Sequence, residues 1–379
     1  MEQIKAAADQ IFDEIVAIRR DIHRHPEIGR TEVRTSGIIR DKLKEYGVDK
    51  IESPCPTAVV GLIQGRKGPG RCIALRSDID ALPVQEETGL PFASETPGIM
   101  MLTAAHILND MKSELCGTVK LAFQPAEETA EGAPAMVAEG ALEGVDGCFA
   151  MHVWSTEKVN TVSCMAGPRM ASADQFKIDV TGKGGHGSAP HECVDAAVVS
   201  SAIVSNLQTI VSRETNPTDP AVCTVGTMQV GDRWNIVPER GHLEGTTRCF
   251  SRDVWTRFPE MIDRIAQETA KTFRASAKLD YIRLVPPVIN DDHMAAIVQA
   301  AARKVVAPDA PIESPKVTGG EDFAFFMEKV PGAVALLGVR NEACDAVWPQ
   351  HSNKYRVDED ALLHGAMLYA QVAMDFNKQ

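Results

Sequence analysis

FKIDVTGKGGHGSAPHECVDAAVVSSAIVSNLQTI, residues 176–210, carries the change of rhythm on which the fold turns. Its first five residues alternate apolar and polar as a half-buried strand does. Behind a glycine-rich turn, the apolar residues of 196–210 recur at helical spacing. Strand-like runs at 221–230 and 241–250, a helix over 254–273 and a strand near Tyr281 follow. This β-α-β-β-α-β order is that of a ferredoxin-like α+β unit. It predicts a separate domain over residues 174–287, within the usual domain size range.

On the amino-terminal side the rhythm differs. Ile11, Ile15, Ile18 and Ile22 mark an amphipathic helix that Pro26 ends, and a second helix is expected around 35–46. Strand-like runs at 58–63, 72–75, 118–123 and 147–153 then alternate with helical segments, and the same rhythm resumes after Pro286 and Pro287. The predicted fold class is therefore α/β: a larger domain with a mostly parallel sheet, built from residues 1–173 and 288–379, interrupted by the inserted unit. A chain of 379 residues also exceeds the size at which one core normally stops growing.

Composition excludes several function classes. The net charge of -13 has the wrong sign for tracking phosphates, so no nucleic acid partner is expected. No window approaches the roughly 20 apolar residues of a membrane span. The first residues, MEQIKAAADQIFDEIVAIRR, mix charge into every turn and lack an apolar signal region, which predicts a cytoplasmic protein. The 9 cysteines are odd in number and form no CxxC pair, so neither a disulfide framework nor a zinc ribbon is expected.

FQPAEE, residues 123–128, places two adjacent carboxylates at the end of a predicted strand. One can face a metal while the other acts as general base on a water beside it; alone, the run would read as a solvated acidic turn. His152 closes the apolar run CFAMHVW, near the carboxyl edge of the sheet, where open α/β folds place their sites. His351 sits in the polar turn WPQHSNKY. Singly, each histidine would read as structural. As a set, one carboxylate and two imidazoles suit Zn, Mn, Co or Ni. Asp78 and Asp80, in LRSDIDALP at 75–83, follow a buried strand and could orient metal ligands or cap the next segment.

In the inserted unit, GGHGSAPH at 184–191 carries His186 and His191, either of which could stabilise the oxyanion of a tetrahedral intermediate. Asn235 in NIVP and Arg248 in EGTTRCF could clamp a substrate carboxylate. GGEDF at 319–323 reads as a turn with a helix start, where Glu321 and Asp322 favour the helix dipole.

Together these runs resemble the metallo-aminoacylase family of amidohydrolases and peptidases. The branch is that of hippurate hydrolases, indole-acetyl-amino-acid hydrolases and N-acetyldiaminopimelate deacetylases. The likeness extends from RRDIHRHPE at Arg19 through LRSDIDALPVQEETGLPF, FQPAEE, GKGGHGSAPH, NIVP, EGTTR, PPVIND and GGEDF to the histidine of QHS. It implies metal-dependent hydrolysis of the amide bond of N-acyl amino acids. Glu127 would be the general base, Glu128, His152 and His351 metal ligands, and Asn235 and Arg248 substrate contacts. It further implies two divalent ions in the intact family site, and a homodimer formed through the inserted lid domain.

The sequence departs from the resemblance at one place. After ASETPGIM the family continues with a stretch of the type HACGHDGHT, which supplies a cysteine and a histidine ligand; here Met100 runs directly into MLTAAHIL. Glu128, His152 and His351 could still hold one ion with an open position. His106 and Cys116 could substitute for the lost ligands, although LTAAHILNDM reads as a helix in which His106 is structural. An excised loop would join chain ends that nothing else brings together, which predicts a break in the chain path between Ile99 and Leu102. Two further expectations stand beside hydrolysis of N-acyl amino acids. One is a catalytically silent or single-metal homologue. The other is a dipeptidase or carboxypeptidase using the same site.

Overall fold

The computed structural model describes residues 2–81, 86–88 and 98–378. Two compact units emerge, one of Met1–Gly167, Ile289–Pro315 and Asp322–Gln379, the other of Pro168–Val288 and Lys316–Glu321.

The first unit is built on a seven-stranded sheet in the order Lys50–Glu52, Val59–Gln64, Thr118–Gln124, Cys72–Asp78, Gly147–Lys158, Gly332–Arg340, Val162–Ser163. The four central strands from Thr118–Gln124 to Gly332–Arg340 are mutually parallel. Helices cover such a sheet on both faces, so its strands bury their whole length, as the unbroken buried run Ile73–Ser77 does. The amino-terminal helix Glu2–Arg24 buries Ile11, Ile15 and Ile22 of the stripe that the isoleucine spacing implied, together with Ile4, and packs the partly buried Ile18 against the core. The last helix, Asp360–Asn377, is buried almost all round and packs on the helices Gly98–Asp110 and Asp292–Val305.

In the second unit the sheet order is Ala221–Val230, Arg240–Cys249, Ala173–Thr181, Ser276–Val285, every neighbour antiparallel. The first strand in sequence thus lies inside the sheet, between the third and the fourth, which is the ferredoxin-like order. Phe176, Ile178 and Val180 alternate onto one face and pack against Val199, Ile203 and Leu207 of the helix Ala196–Thr209 and Phe258 and Ile262 of the helix Arg252–Thr272. The α/β class with a large, mostly parallel sheet is as the sequence implied.

The junction at Met100 corrects one expectation. Residues Gly98–Asp110 form one uninterrupted helix, with no break between Ile99 and Leu102. Met100, Met101 and Leu102 are buried and the apolar run continues to Leu108, so the joined segment satisfies helical packing on its own. The flank at 91–97 lies outside the described residues, as do Leu82 and Pro83 at the end of LRSDIDALP. No helix among the described residues is long and apolar enough to cross a membrane.

Candidate metal and catalytic site

Strand ends build the site of the first unit. Cys72–Asp78 leads to Asp80, and its parallel neighbour Thr118–Gln124 leads to Glu127 and Glu128. His152 lies within Gly147–Lys158, and His351 in the turn after Gly332–Arg340. Asp78, Asp80, Glu128, His152 and His351 line one pocket with Arg19, Met100, Gln350 and Tyr355. Its position at the carboxyl edge of the parallel strands is where α/β folds place ligands.

The two glutamates are held by their backbone. Asp80 accepts the amide of Glu127 at 3.0 Å on one oxygen and that of Glu128 at 3.2 Å on the other. Buried Glu32 accepts the amide of Ala126 at 2.9 Å. Ala126 and Ala130 both adopt left-handed backbone, at φ 53° and 55°, which alanine rarely does and which surrounding contacts must enforce. Burial, aided by the negative charge of Asp78, pushes the Asp80 carboxyl up to about 6, although the amides it accepts work the other way.

Gly132 closes the same turn. A Cβ there would meet the Pro125 carbonyl oxygen at 1.6 Å. Gly132→Ala should therefore cost about 1–3 kcal/mol, the usual penalty of overpacking, and displace the glutamates. Thermal unfolding checks this, and an unchanged Tm would mean that the turn relaxes freely.

On the histidine side, the Nδ1 of His152 lies 2.6 Å from the Val153 carbonyl oxygen. Donation of Nδ1–H there leaves Nε2 as the ligand atom, the arrangement usual for metal-binding histidines. Ser155 donates to Gln350 at 2.7 Å, and Gln350 donates to the Val153 carbonyl at 3.0 Å, tying the His351 turn to the His152 strand. His351 takes left-handed backbone, φ 63°. Burial, and secondarily His152, lowers its tendency to protonate, which keeps the ring available as a ligand.

A carboxylate and two imidazoles around one pocket fit a single divalent ion. Among the described residues their ligand atoms do not all lie within 4.8 Å of one another, whereas those of Glu127, Glu321 and Asp322 do. Of the two-ion site that the resemblance implies, the thiolate and the imidazole of the absent stretch find no replacement among the described residues that line the pocket. No cysteine lines the pocket, and Met100, the residue at the junction, does. His106 is held in its helix, edge-on to Tyr46 with ring centroids 5.0 Å apart and 3.3 Å from Asp110.

In the second unit, His186 and Asn235 come together. The short strands Gly185–His186 and Ile236–Val237 pair, and the Gly187 amide donates to the Asn235 carbonyl at 2.9 Å. Nδ1 of His186 accepts the Ser188 amide at 3.1 Å, so the neutral ring carries its proton on Nε2 and can donate. His191 is exposed in the turn Pro190–Glu192. Arg248 lies on the strand Arg240–Cys249 and donates to the Thr247 carbonyl at 3.0 Å.

Sequence reasoning missed Glu32, Arg76 and Gln124. For the last two the signal was present: a polar residue inside an otherwise fully buried strand run needs partners. Asp322, read only as favouring a helix start, also accepts from Arg76, Gln124 and the Ala133 amide.

Comparison with known proteins agrees with this architecture. The family model described as Peptidase family M20/M25/M40 matches residues 74–375. N-acetylcysteine deacetylase of Bacillus subtilis is 37% identical, over 97% of this chain and 98% of its own length. Thermostable carboxypeptidase 1 of Saccharolobus solfataricus is 36% identical over 394 aligned positions, covering 100% of this chain and 99% of its own. A Bacillus subtilis crystal structure described as a dinuclear metal binding peptidase from the M20 family superposes with a TM-score of 0.85 at 32% identity, covering 98% of this chain and 99% of that one. The chain belongs to peptidase family M20/M25/M40, a family of metal-dependent hydrolases of amide bonds.

Proposed function

We propose that this hydrolase cleaves the amide bond of N-acyl amino acids, releasing a carboxylic acid and an amino acid, at the pocket of the first unit. The observation that carries the reading is the turn in which Asp80 holds both glutamate amides beside a pocket shared by Glu128, His152 and His351. Glu128, His152 and His351 would hold one divalent ion, either Zn, Mn, Co or Ni. When bound, such an ion polarises the scissile carbonyl and acidifies water. Glu127 takes the proton of the attacking water and delivers it to the leaving amine nitrogen. His186 is the better oxyanion donor of the two histidines, since its Nε2 carries the proton and Asn235 lies beside it. Asn235 and Arg248 would grip the substrate carboxylate, Arg248 by its planar fork.

The second unit would serve as lid and dimerisation domain. Its outermost strand, Ala221–Val230, leaves one edge unpaired within the sheet and exposes Val222 and Met228, a surface suited to a second copy. Nine free cysteines fit a reducing, cytoplasmic compartment.

A second reading, a catalytically silent homologue, is favoured by the helix that runs unbroken through Met100. Peptidase specificity is favoured by the carboxypeptidase relative. Metal content and a panel of N-acetyl and N-benzoyl amino acids against dipeptides, assayed with each of the four metals, decide among them. One ion per chain with cleavage of acyl amino acids is the expected result. Cleavage confined to dipeptides would assign a peptidase, and a folded protein inert to the whole panel would be the silent homologue.

A further inference from the structure

We infer that Asp322 is a positioning residue for the Glu127–Glu128 pair, acting through a buried network with Arg76 and Gln124; its importance for hydrolysis rests on the function proposed above. Asp322 and Gln124 are 0% exposed and Arg76 is 2% exposed. Asp322 accepts from Arg76 at 2.9 Å and from the Gln124 amide group at 2.8 Å on each carboxylate oxygen. Arg76 also donates to the Gln124 side-chain oxygen at 2.8 Å. The triangle is closed: each member bonds both others. Charges are retained in such a core only when paired, and removal of one partner leaves the other stranded.

What the triangle grips determines its role. Gln124 is the last residue of the strand that leads into the glutamate turn, and Ala133, whose amide donates to Asp322 at 3.2 Å, is the first residue past Gly132 on the far side. Asp322 therefore clamps both ends of the loop formed by residues 125–132. Glu32 and Asp80 hold only its middle, at Ala126 and at the glutamates themselves. The left-handed alanines inside the loop store strain that relaxes if the ends separate. The triangle also draws on distant parts of the chain, since Asp322 lies 198 residues from Gln124. No local propensity can replace it.

Amide hydrogen exchange on the full-length protein, read residue by residue, tests this without requiring turnover. In Asp322→Asn, the amides of Ala126, Glu127, Glu128 and Ala133 should exchange about tenfold faster or more, while those of the core strand Cys72–Asp78 keep their protection. Against an N-acetyl amino acid, kcat should fall roughly 10- to 100-fold, as with loss of an outer partner of a metal site, and KM should move less than about threefold. Gln124→Met keeps the Arg76–Asp322 pair and the side-chain volume, and should accelerate the same four amides to a smaller extent; it decides the matter if Asp322→Asn does not fold. Unchanged exchange in the turn overturns the inference, whatever happens to kcat. Accelerated exchange in a protein whose wild type hydrolyses nothing upholds the clamp and refutes only the proposed activity.

Discussion

Glu127→Gln is expected to lower kcat by about 100- to 10,000-fold, the range that a positioned general base contributes. Glutamine keeps the shape of the side chain and cannot accept a proton from water. The turn itself should survive, because it is fixed through main-chain groups: Asp80 holds the Glu127 and Glu128 amides, and Glu32 holds that of Ala126. Metal content and Tm should therefore stay near wild type while turnover disappears. Full activity in this variant would remove Glu127 from the mechanism. Loss of metal together with activity would instead make Glu127 a ligand and reverse the roles assigned to the two glutamates.

The second large effect concerns the junction at Met100. Insertion of a segment of the HACGHDGHT type between Met100 and Met101 should raise bound metal from one ion per chain to two, and raise kcat by about tenfold or more. A segment inserted there would start at the wall of the site, since Met100 lines the pocket that Glu128, His152 and His351 share. The carboxypeptidase relative aligns over 394 positions against a chain of 379, so about fifteen of those positions hold residues that this chain lacks. Measurement of metal per folded chain in both proteins checks the prediction. A wild-type chain already carrying two ions would overturn the single-ion reading, and an insertion variant that folds and still binds one would show that the lost ligands alone do not limit the site.

The sequence by itself determined the elements and their order. Periodicity two over 176–180, periodicity 3.6 over 196–210 and the alternation of strands and helices on either side are local properties, set by which side chains each pleat or turn must bury. It also determined the chemical types available for the site, because Glu127 and Glu128 follow a strand end, His351 stands in a later turn and His152 lies within a strand of the same parallel sheet. Two matters were decided only by tertiary structure. One is the path at Met100, where burial of Met100, Met101 and Leu102 turns a junction expected to break into a continuous helix. The other is the support beneath the glutamates. Asp322 lies in a glycine turn that reads as a helix start, and Glu32 in a polar stretch before a helix, so neither announces a partner in its own neighbourhood. Their roles arise from buried hydrogen bonds across 198 and 94 residues of chain, and pairings at that separation are fixed by how the sheet strands stack, not by any local preference.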